Sequence, residues 1–311
     1  MKRVLLIYNP LAGNGFIKTH LDEIISSFSD AGMLIVPYRL GGTIDLDRML
    51  ADLPVNDCHK LIAAGGDGTV NLVVNAMVRH GINIPLAIFP TGTANDLANH
   101  LGIPLTIDGM IETGLSDDYA KVDVGKAGSR YFVNVLAIGM LVDISQRTDP
   151  MIKNTLGLGA YYLRTLAELP FARAFRLRIS SEEMTIDEDV SVVLVMNGRS
   201  AGGFKAVAPF SEVGDGLLDV VVVSKLILPT MLPALLSVMT GLHTRDKRFI
   251  LFRTSCLRIE STGKSAGKNV IETDVDGERG DPLPLDIEVL PGRLLINMHR
   301  GVFNPPINVV K

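Results

Sequence analysis

The stretch Gly65-Gly66-Asp67-Gly68-Thr69 lies between an apolar run, residues 61–64, and a stretch with helical periodicity, residues 70–78. Glycine accepts positive φ angles and carries no Cβ, so consecutive backbone N–H groups in such a turn can converge on an anion. A helix that begins at Thr69 would add the partial positive charge of its N-terminus. Strand, glycine-rich turn and helix together predict a parallel α/β sheet with a phosphate-binding turn.

Three further apolar runs in the first third of the chain predict strands of the same sheet, over residues 4–8, 33–38 and 85–89. Polar turns over residues 9–15 and 90–96 follow two of these runs. Because the carboxyl ends of parallel strands meet at one edge of a sheet, we expect the polar turns to form a ligand site there. Asp67 would be repelled by a polyphosphate unless Mg²⁺ bridges them or a proton is taken up. The alternative is that Asp67 only caps the helix that follows its turn.

From about residue 121 the pattern changes to successive strands, with helical segments only over residues 155–169 and 230–241. The predicted strands cover residues 121–124, 130–138, 175–179, 190–196, 217–223, 257–260, 270–275 and 287–290. The expected fold class is therefore an N-terminal α/β domain with a parallel sheet and a C-terminal antiparallel β-sandwich domain. We place the first domain at residues 1–125 and the second at 126–295, with the tail, 296–311, a candidate to return to the first.

Composition excludes several classes of protein. The formal net charge is −4, so the counterion release that drives general nucleic-acid binding is not available, and no nucleic-acid partner is expected. Hydrophobic residues make up 47% of the chain, enough for a large core and too many for disorder. Two distant cysteines, Cys58 and Cys256, form no disulfide framework, which favours a reducing compartment. Prolines 229 and 233 interrupt the uncharged residues 226–244, so a partly buried or membrane-surface helix is favoured over a transmembrane one.

Four carboxylates alternate with other residues near the end of the second domain: Glu272, Asp274, Asp276 and Glu278. On a continuous strand they would share one face. An ordinary solvent-exposed face explains this pattern by itself.

Taken in this order, the motifs resemble the diacylglycerol kinase catalytic domain shared by bacterial lipid kinases, sphingosine kinases and ceramide kinases. The likeness rests on the three polar turns and on motifs of the second domain, which include Phe132-Val133-Asn134, Asn197-Gly198, Gly214-Asp215-Gly216-Leu217 and Asp276-Gly277-Glu278. It implies a Mg²⁺-dependent, ATP-using kinase of phospholipid metabolism that phosphorylates a hydroxyl of diacylglycerol or a related lipid. It also implies a cytoplasmic enzyme that works peripherally at the inner face of the membrane.

The resemblance also implies site residues. ATP would be held by Asn9, Pro10, Leu11, Ala12, Gly13, Gly65, Gly66, Asp67, Gly68, Thr69, Val70, Asn71, Thr91, Gly92, Thr93 and Asn95. Asp67 and Asp96 would help to position a catalytic Mg²⁺. We expect Glu278 to be the general base, with Asp276 as its orienting partner or as the base itself. A structural Mg²⁺ would be held by Glu212, Asp215 and Leu217, although an Asp-Gly sequence before a strand is equally typical of a hairpin turn.

Two other functions stay open. Gly-Gly-Asp-Gly also occurs in NAD kinases, so a small-molecule kinase is one alternative. A catalytically weak regulator that binds nucleotide or lipid is the other, because Leu72 stands where the family commonly has Glu. The sequence leaves open which lipid is used and whether the protein forms a homodimer.

Overall fold

The computed structural model describes residues 1–42, 45–140, 142, 174–201, 204, 207–263, 271–299 and 309–310. The chain divides into two compact units, Met1–Asp123 with Pro291–Lys311, and Val124–Leu290. The helix expected over residues 155–169 lies outside the described residues.

Four strands of the first unit pair in parallel, in the order β2-β1-β3-β4. They are β1 (Lys2–Tyr8), β2 (Met33–Arg39), β3 (Lys60–Gly65) and β4 (Leu86–Pro90). Strands β3 and β4 are buried along their whole length, as their continuous apolar runs predicted. The three polar turns follow the carboxyl ends of β1, β3 and β4.

The helices described in this unit are α1 (Phe16–Thr19), α2 (Leu21–Asp30), α3 (Leu46–Asp52), α4 (Asp67–Arg79), α5 (Asp96–His100) and α6 (Ile107–Leu115). Phe28 of α2 and Met110 of α6 pack with Val4, Ile62 and Phe89 of the strands in one apolar core. Helix α4 begins at Asp67, two residues before the expected start, so Asp67 belongs to the first helical turn.

Helical periodicity over residues 17–28 predicts one helix here, but the structure has two, α1 and α2, which are separated at His20. The backbone of His20 has φ −106° and ψ 10°. The Thr19 hydroxyl donates to the carbonyl of Phe16 at 2.8 Å, and His20 Nδ1 lies 2.9 Å from the same oxygen. These side chains compete for a carbonyl of the first helical turn, which favours a break.

The second unit consists mainly of antiparallel strands. They are β5 (Tyr119–Ala127), β6 (Arg130–Phe132), β7 (Val135–Gly139), β8 (Phe175–Ser181), β9 (Thr185–Met196), β10 (Leu218–Ser224), β11 (Phe249–Thr254), β12 (Cys256–Ser261), β13 (Thr273–Val275), β14 (Glu278–Arg279) and β15 (Leu285–Asn297). A last short strand, β16 (Val309–Val310), belongs to the first unit. Strands β5 and β15 each have residues in both units. Within the second unit the pairing order is β14-β13-β7-β9-β8-β12-β15, and β10 joins β9 to β11.

The core of this unit is formed by side chains of β7, β9 and β10, which pack with side chains of β8, β12 and β15. Alternate residues of β10 face different partners: Val220 and Val222 belong to this core, whereas Val221 and Val223 pack beneath helix α7 (Leu228–Met239). The predicted fold class, α/β followed by an antiparallel β-sandwich, is confirmed. Within the described part of the chain, no helix is both long and apolar enough to cross a bilayer.

Candidate active site

Asn9, the first residue after β1, fastens the first polar turn to the second. Its N–H donates to the carbonyl of Ala64 at 2.9 Å, and its Nδ2 donates to the hydroxyl of Thr69 at 3.5 Å. Its Oδ1 accepts the N–H of Leu11 at 3.0 Å, which folds the turn back on itself. Asn9 therefore acts as a positioning residue for both turns.

Gly13 lies where the first turn approaches the third. Its φ is 55°, and a Cβ at this position would lie 2.7 Å from the carbonyl oxygen of Thr91. Asn14 and Gly15 also have positive φ angles, 55° and 81°, which turn the chain sharply before α1. Position 13 accepts only glycine for both reasons.

Gly66 and Gly92 bring the second and third turns together, backbone against backbone. A Cβ on Gly92 would lie 2.5 Å from the Cα of Gly66. The N–H of Thr91 donates to the carbonyl of Gly65 at 2.9 Å. The three turns, residues 9–15, 65–69 and 90–96, thus form one packed group at the carboxyl edge of the sheet, which we call the three-turn cluster.

Asp67 caps a helix, but not the one that follows its own turn. Its carboxylate accepts the N–H of Asn95 and the N–H of Asp96, both at 2.8 Å, at the start of α5. The alternative role stated above, a cap on α4, is therefore wrong, since α4 has no side-chain cap. Burial raises the pKa of the Asp67 carboxyl, and the backbone donors act in the opposite direction.

Asn95 closes the third turn. Its Oδ1 accepts the N–H of Gly92 and its Nδ2 donates to the Gly92 carbonyl, both at 2.8 Å. Its backbone is left-handed, with φ 50° and ψ 46°, a conformation that asparagine tolerates better than most residues. Through Asp67 and Asn95 the positions of the second and third turns depend on each other.

The hydroxyl of Thr91 is a donor without an acceptor. Its Oγ1 is buried and has no hydrogen-bond partner among the described residues. An unsatisfied buried hydroxyl beside glycine backbones fits a site that takes an oxyanion such as phosphate. The Asp67 carboxylate contacts the backbone N–H of Asp96, which brings two acidic residues to this edge, and Mg²⁺ prefers carboxylate oxygens beside phosphate and water.

Four other residues that were predicted to hold the nucleotide differ in their exposure to solvent. Leu11 and Gly68 are exposed, whereas Val70 and Asn71 are buried within α4. The side-chain oxygen of Asn71 accepts a hydrogen bond from Asn75 at 3.0 Å, so this amide is used inside the helix.

The acidic face expected on one continuous strand is wrong, because β13 ends at Val275. Asp276 and Gly277 have positive φ angles, 51° and 89°, and β14 returns antiparallel with Val275 opposite Glu278. This two-residue Asp-Gly loop is the favoured hairpin turn with two left-handed residues. Asp274, which was expected in solvent, is buried, and its carboxylate accepts the N–H of Gly277 at 2.7 Å.

Asp276 is held by the backbone of a distant segment. Its carboxylate accepts the N–H groups of Val133, Asn134 and Val135, at 2.8, 3.1 and 2.8 Å. The strand expected over residues 130–138 is interrupted at this point, because these N–H groups leave the sheet ladder to bind the carboxylate. Glu278, by contrast, has a half-exposed side chain, and its Oε2 lies 3.6 Å from the Arg130 guanidinium.

Asp215, an expected ligand of the structural Mg²⁺, pairs with the guanidinium of Arg253 and accepts the N–H of Leu217 at 3.0 Å. Arg253 also lies 3.5 Å from the carboxylate of Asp219, its partner across β10 and β11. Among the described residues, no three His, Cys, Asp or Glu side chains are grouped to hold a metal ion. Both oxygens of the Asp215 carboxylate are engaged in this way, and the ligand set of Glu212, Asp215 and Leu217 stays a prediction. Sequence patterns did not reveal Arg253, because the strand that carries it, β11, was not predicted.

Two family models together match most of the chain. Residues 3–127 match the diacylglycerol kinase catalytic domain, and residues 134–298 match the YegS C-terminal NAD kinase beta sandwich-like domain. This combination defines a kinase that transfers phosphate to a hydroxyl.

Curated relatives and a solved structure agree with these matches. A diacylglycerol kinase of Bacillus subtilis (strain 168) is 29% identical over 285 residues, covering 91% of this chain and 92% of the relative. One of Staphylococcus aureus (strain Newman) is 30% identical over 308 residues, covering 98% and 93%. A crystal structure of a diacylglycerol kinase from Bacillus anthracis str. Sterne is 26% identical with a TM-score of 0.75, covering 97% of this chain and 99% of that one. The chain belongs to the diacylglycerol kinase family, which confirms the resemblance found in the sequence.

Proposed function

We propose that this protein is an ATP- and Mg²⁺-dependent lipid kinase that phosphorylates a hydroxyl of diacylglycerol or a related lipid. Membership of the family supports the kinase reaction, and the names of the relatives support the lipid acceptor. In this reaction the γ-phosphorus of ATP leaves the bridging oxygen of ADP and bonds to the lipid hydroxyl oxygen, which gives up its proton.

The buried, unpartnered hydroxyl of Thr91 is the observation that carries the nucleotide site. It lies in the three-turn cluster, where Gly13 and Gly92 allow the close approach of backbones. In our proposal Thr91 donates to a phosphate oxygen, and backbone N–H groups of the glycine turns supply further donors.

Asp67 and Asp96 are the proposed holders of Mg²⁺. The ion, when bound, would neutralise charge on the phosphates, a contribution that proteins usually support with one or two carboxylates. Asp67 would at the same time fix α5 through its two hydrogen bonds, so that one carboxylate orders the turn and contacts the ion.

Glu278 is the proposed acceptor of the hydroxyl proton, with Asp276 as the alternative. Support for Glu278 comes from its exposure, since half of its side chain is open to solvent. The carboxylate of Asp276 is already engaged by three backbone N–H groups, so a substrate hydroxyl would have to share these oxygens. In this proposal Asp276 positions the hairpin that carries Glu278.

The proposed setting is the cytoplasmic face of a membrane, where the protein binds peripherally to reach its lipid. A homodimer stays a prediction that light scattering can test, and no nucleic-acid partner is proposed.

The deciding experiment supplies γ-labelled ATP and Mg²⁺ with a panel of detergent-dispersed lipids and, separately, with NAD. Label on diacylglycerol or another hydroxylated lipid supports the proposal. Label on NAD alone would establish the small-molecule alternative, to which the NAD kinase-like description of residues 134–298 gives specific weight. Binding of ATP with no labelled product would favour the regulator.

A further inference from the structure

Helix α7 is apolar on two opposite sides. Met231, Ala234 and Val238 face the sheet and pack on side chains of β9, β10 and β11. Leu232 and Leu236 lie on the other side and stay about half exposed, at 51% and 48%. A helix that is hydrophobic all round is normally buried on all sides, so the outer side of α7 calls for an apolar partner.

More exposed apolar residues stand just beyond the ends of α7 in the sequence. Leu232, Leu236 and Met239 follow the spacing of one helical face, and the exposed residues Ile227 and Leu242 flank the helix on either side. We call these five residues the α7 stripe. Their exposed fractions lie between 48% and 60%, which makes the stripe the largest run of exposed apolar side chains in the described part of the chain.

The sequence from residue 225 to residue 245, which carries the stripe, contains Lys and Arg but neither Asp nor Glu. Lys225 is exposed just before the helix, and Arg245 and Lys247 are exposed just after it. The nearest carboxylate on the C-terminal side, Asp246, is already paired with Arg248. An apolar row with cationic ends is complementary to an anionic lipid surface, where ammonium and guanidinium groups meet headgroups and apolar side chains meet acyl chains.

We infer that the α7 stripe docks the protein on an anionic bilayer, with the helix lying in the plane of the interface. The helix has 12 residues, a length of about 18 Å, which is too short to cross a hydrocarbon core of about 30 Å. The inference rests on the proposed function in one respect: a lipid kinase has to reach a substrate that stays in the membrane. A protein partner or a second copy of this chain would need no such run of flanking cations.

Vesicle flotation without ATP or substrate tests the docking by itself. We expect the protein to float with vesicles of dioleoylphosphatidylcholine containing dioleoylphosphatidylglycerol. The triple variant Leu232→Gln, Leu236→Gln and Met239→Gln should bind at least about tenfold more weakly, because it loses the apolar contacts. A matched triple variant of exposed apolar residues elsewhere, Leu53→Gln, Leu105→Gln and Met184→Gln, should bind as the unchanged protein does.

Charge and insertion depth can be measured separately. Changing Lys225, Arg245 and Lys247 together to Gln should reduce binding to the anionic vesicles towards the level on pure phosphatidylcholine. The chain contains no tryptophan, so Leu236→Trp introduces a single fluorophore. Its emission should shift to the blue on addition of vesicles and be quenched by lipids brominated in the acyl chain, whereas Leu105→Trp should show neither effect.

Equal flotation of the stripe variant and the unchanged protein, or an unchanged Leu236→Trp spectrum, would overturn the inference. A change of oligomeric state in the stripe variant would overturn it as well, because the stripe would then join two copies. Kinase activity on detergent-dispersed lipid is measured on the same samples. Lost flotation with retained activity confirms the docking surface, and absent activity in every sample contradicts the proposed function and leaves the flotation result standing.

Discussion

Oδ1 of Asp67 accepts the backbone N–H of Asp96 at 2.8 Å, so the residue that opens α4 caps the start of α5. A carboxylate at this position stabilises the N-terminus of α5 by hydrogen bonding and by charge. The proposed Mg²⁺ site is therefore built on a contact that also holds two turns of the fold together.

Replacement of Asp67 separates these two roles. Asp67→Ala should lower the free energy of unfolding by about 1–2 kcal/mol, because both N–H groups of α5 lose their acceptor. Asp67→Asn keeps one acceptor oxygen and should recover part of that stability, whereas kcat should stay at least about 100-fold lower because the charge is gone. Urea denaturation and steady-state kinetics measure the two effects. The control is Asp45→Asn, at the N-cap of α3, which should affect stability alone. A normal kcat in Asp67→Asn would show that Asp67 only caps α5 and has no role in the reaction.

Thr91→Val removes a hydroxyl that has no partner in the described structure, and the valine side chain has nearly the same shape as that of threonine. Stability should stay the same or rise slightly, since a buried unsatisfied group is removed. KM for ATP should increase about tenfold if this hydroxyl donates to phosphate. The control is Thr113→Val, which loses a buried hydrogen bond to the Gly109 carbonyl of 2.7 Å and should lower stability by about 1 kcal/mol without changing KM. An unchanged KM in Thr91→Val would remove Thr91 from the site.

Two glycine replacements should have opposite effects. Gly92→Ala places a Cβ 2.5 Å from the Cα of Gly66, so the second and third turns must separate and both stability and ATP binding should fall. Gly68→Ala meets nothing within 4 Å in the first turn of α4 and should raise the free energy of unfolding by about 0.5–1 kcal/mol. Chemical denaturation and nucleotide titration give both answers. Equal stability changes in the two variants would show that the turns are not packed as described.

The roles of Glu278 and Asp276 predict different losses. Glu278→Gln should leave stability within about 0.5 kcal/mol and reduce kcat at least about 100-fold. Asp276→Asn should lower the free energy of unfolding by about 1–3 kcal/mol, because it weakens the acceptor of three backbone N–H groups. Glu288→Gln, a half-exposed carboxylate paired with Lys126, is the matched control and should keep full activity. Full activity in Glu278→Gln, together with no activity in a folded Asp276→Asn, would show that Asp276 and not Glu278 is the general base.

Lys60 predicts an unusual dependence of stability on pH. Its side chain is fully buried, and its Nζ donates to the carbonyls of Gly114 and Ser116 at 2.9 and 2.8 Å. Burial lowers the pKa of Lys60 to about 8, so between about pH 8 and 10 the unfolded chain binds more protons at this residue than the folded one. The contribution of Lys60 to stability should therefore rise with pH, by up to about 1 kcal/mol per pH unit.

The test compares urea denaturation of the unchanged protein and Lys60→Met from pH 7.5 to 9.5. The difference in unfolding free energy should shift in favour of the unchanged protein as the pH increases. A difference that is constant or moves the other way would contradict the lowered pKa. Lys121→Met, an exposed lysine in the same unit, should give no such trend.

The first sheet could be predicted from the sequence because each of its strands is a continuous apolar run bounded by glycine, proline or asparagine. The break between β6 and β7 could not, since it depends on Asp276, a residue 143 positions away from Val133. The local pattern around Asp276 favoured a straight strand, yet the left-handed Asp276-Gly277 pair makes a hairpin.

The candidate site, like the fold, could be predicted from the sequence only in part. Short motifs located the polar turns, because glycine and asparagine mark positive φ angles wherever they occur. Which partner each side chain takes depended on contacts between turns: Asp67 binds α5 instead of its own helix, and Arg253 takes the carboxylate of Asp215. Such pairings have no signal in local sequence.

The first unit is discontinuous along the chain, and this limits how it can be dissected. Ile296 of β15 pairs beside Leu86 of β4, and Asn297 donates to the Ser116 carbonyl at 2.6 Å. A fragment cut after Asp123 would leave β4 with an open hydrogen-bonding edge, a template for intermolecular strand pairing. An excised first unit would therefore be open to intermolecular strand pairing unless residues 291–299 were joined back onto it by a short linker.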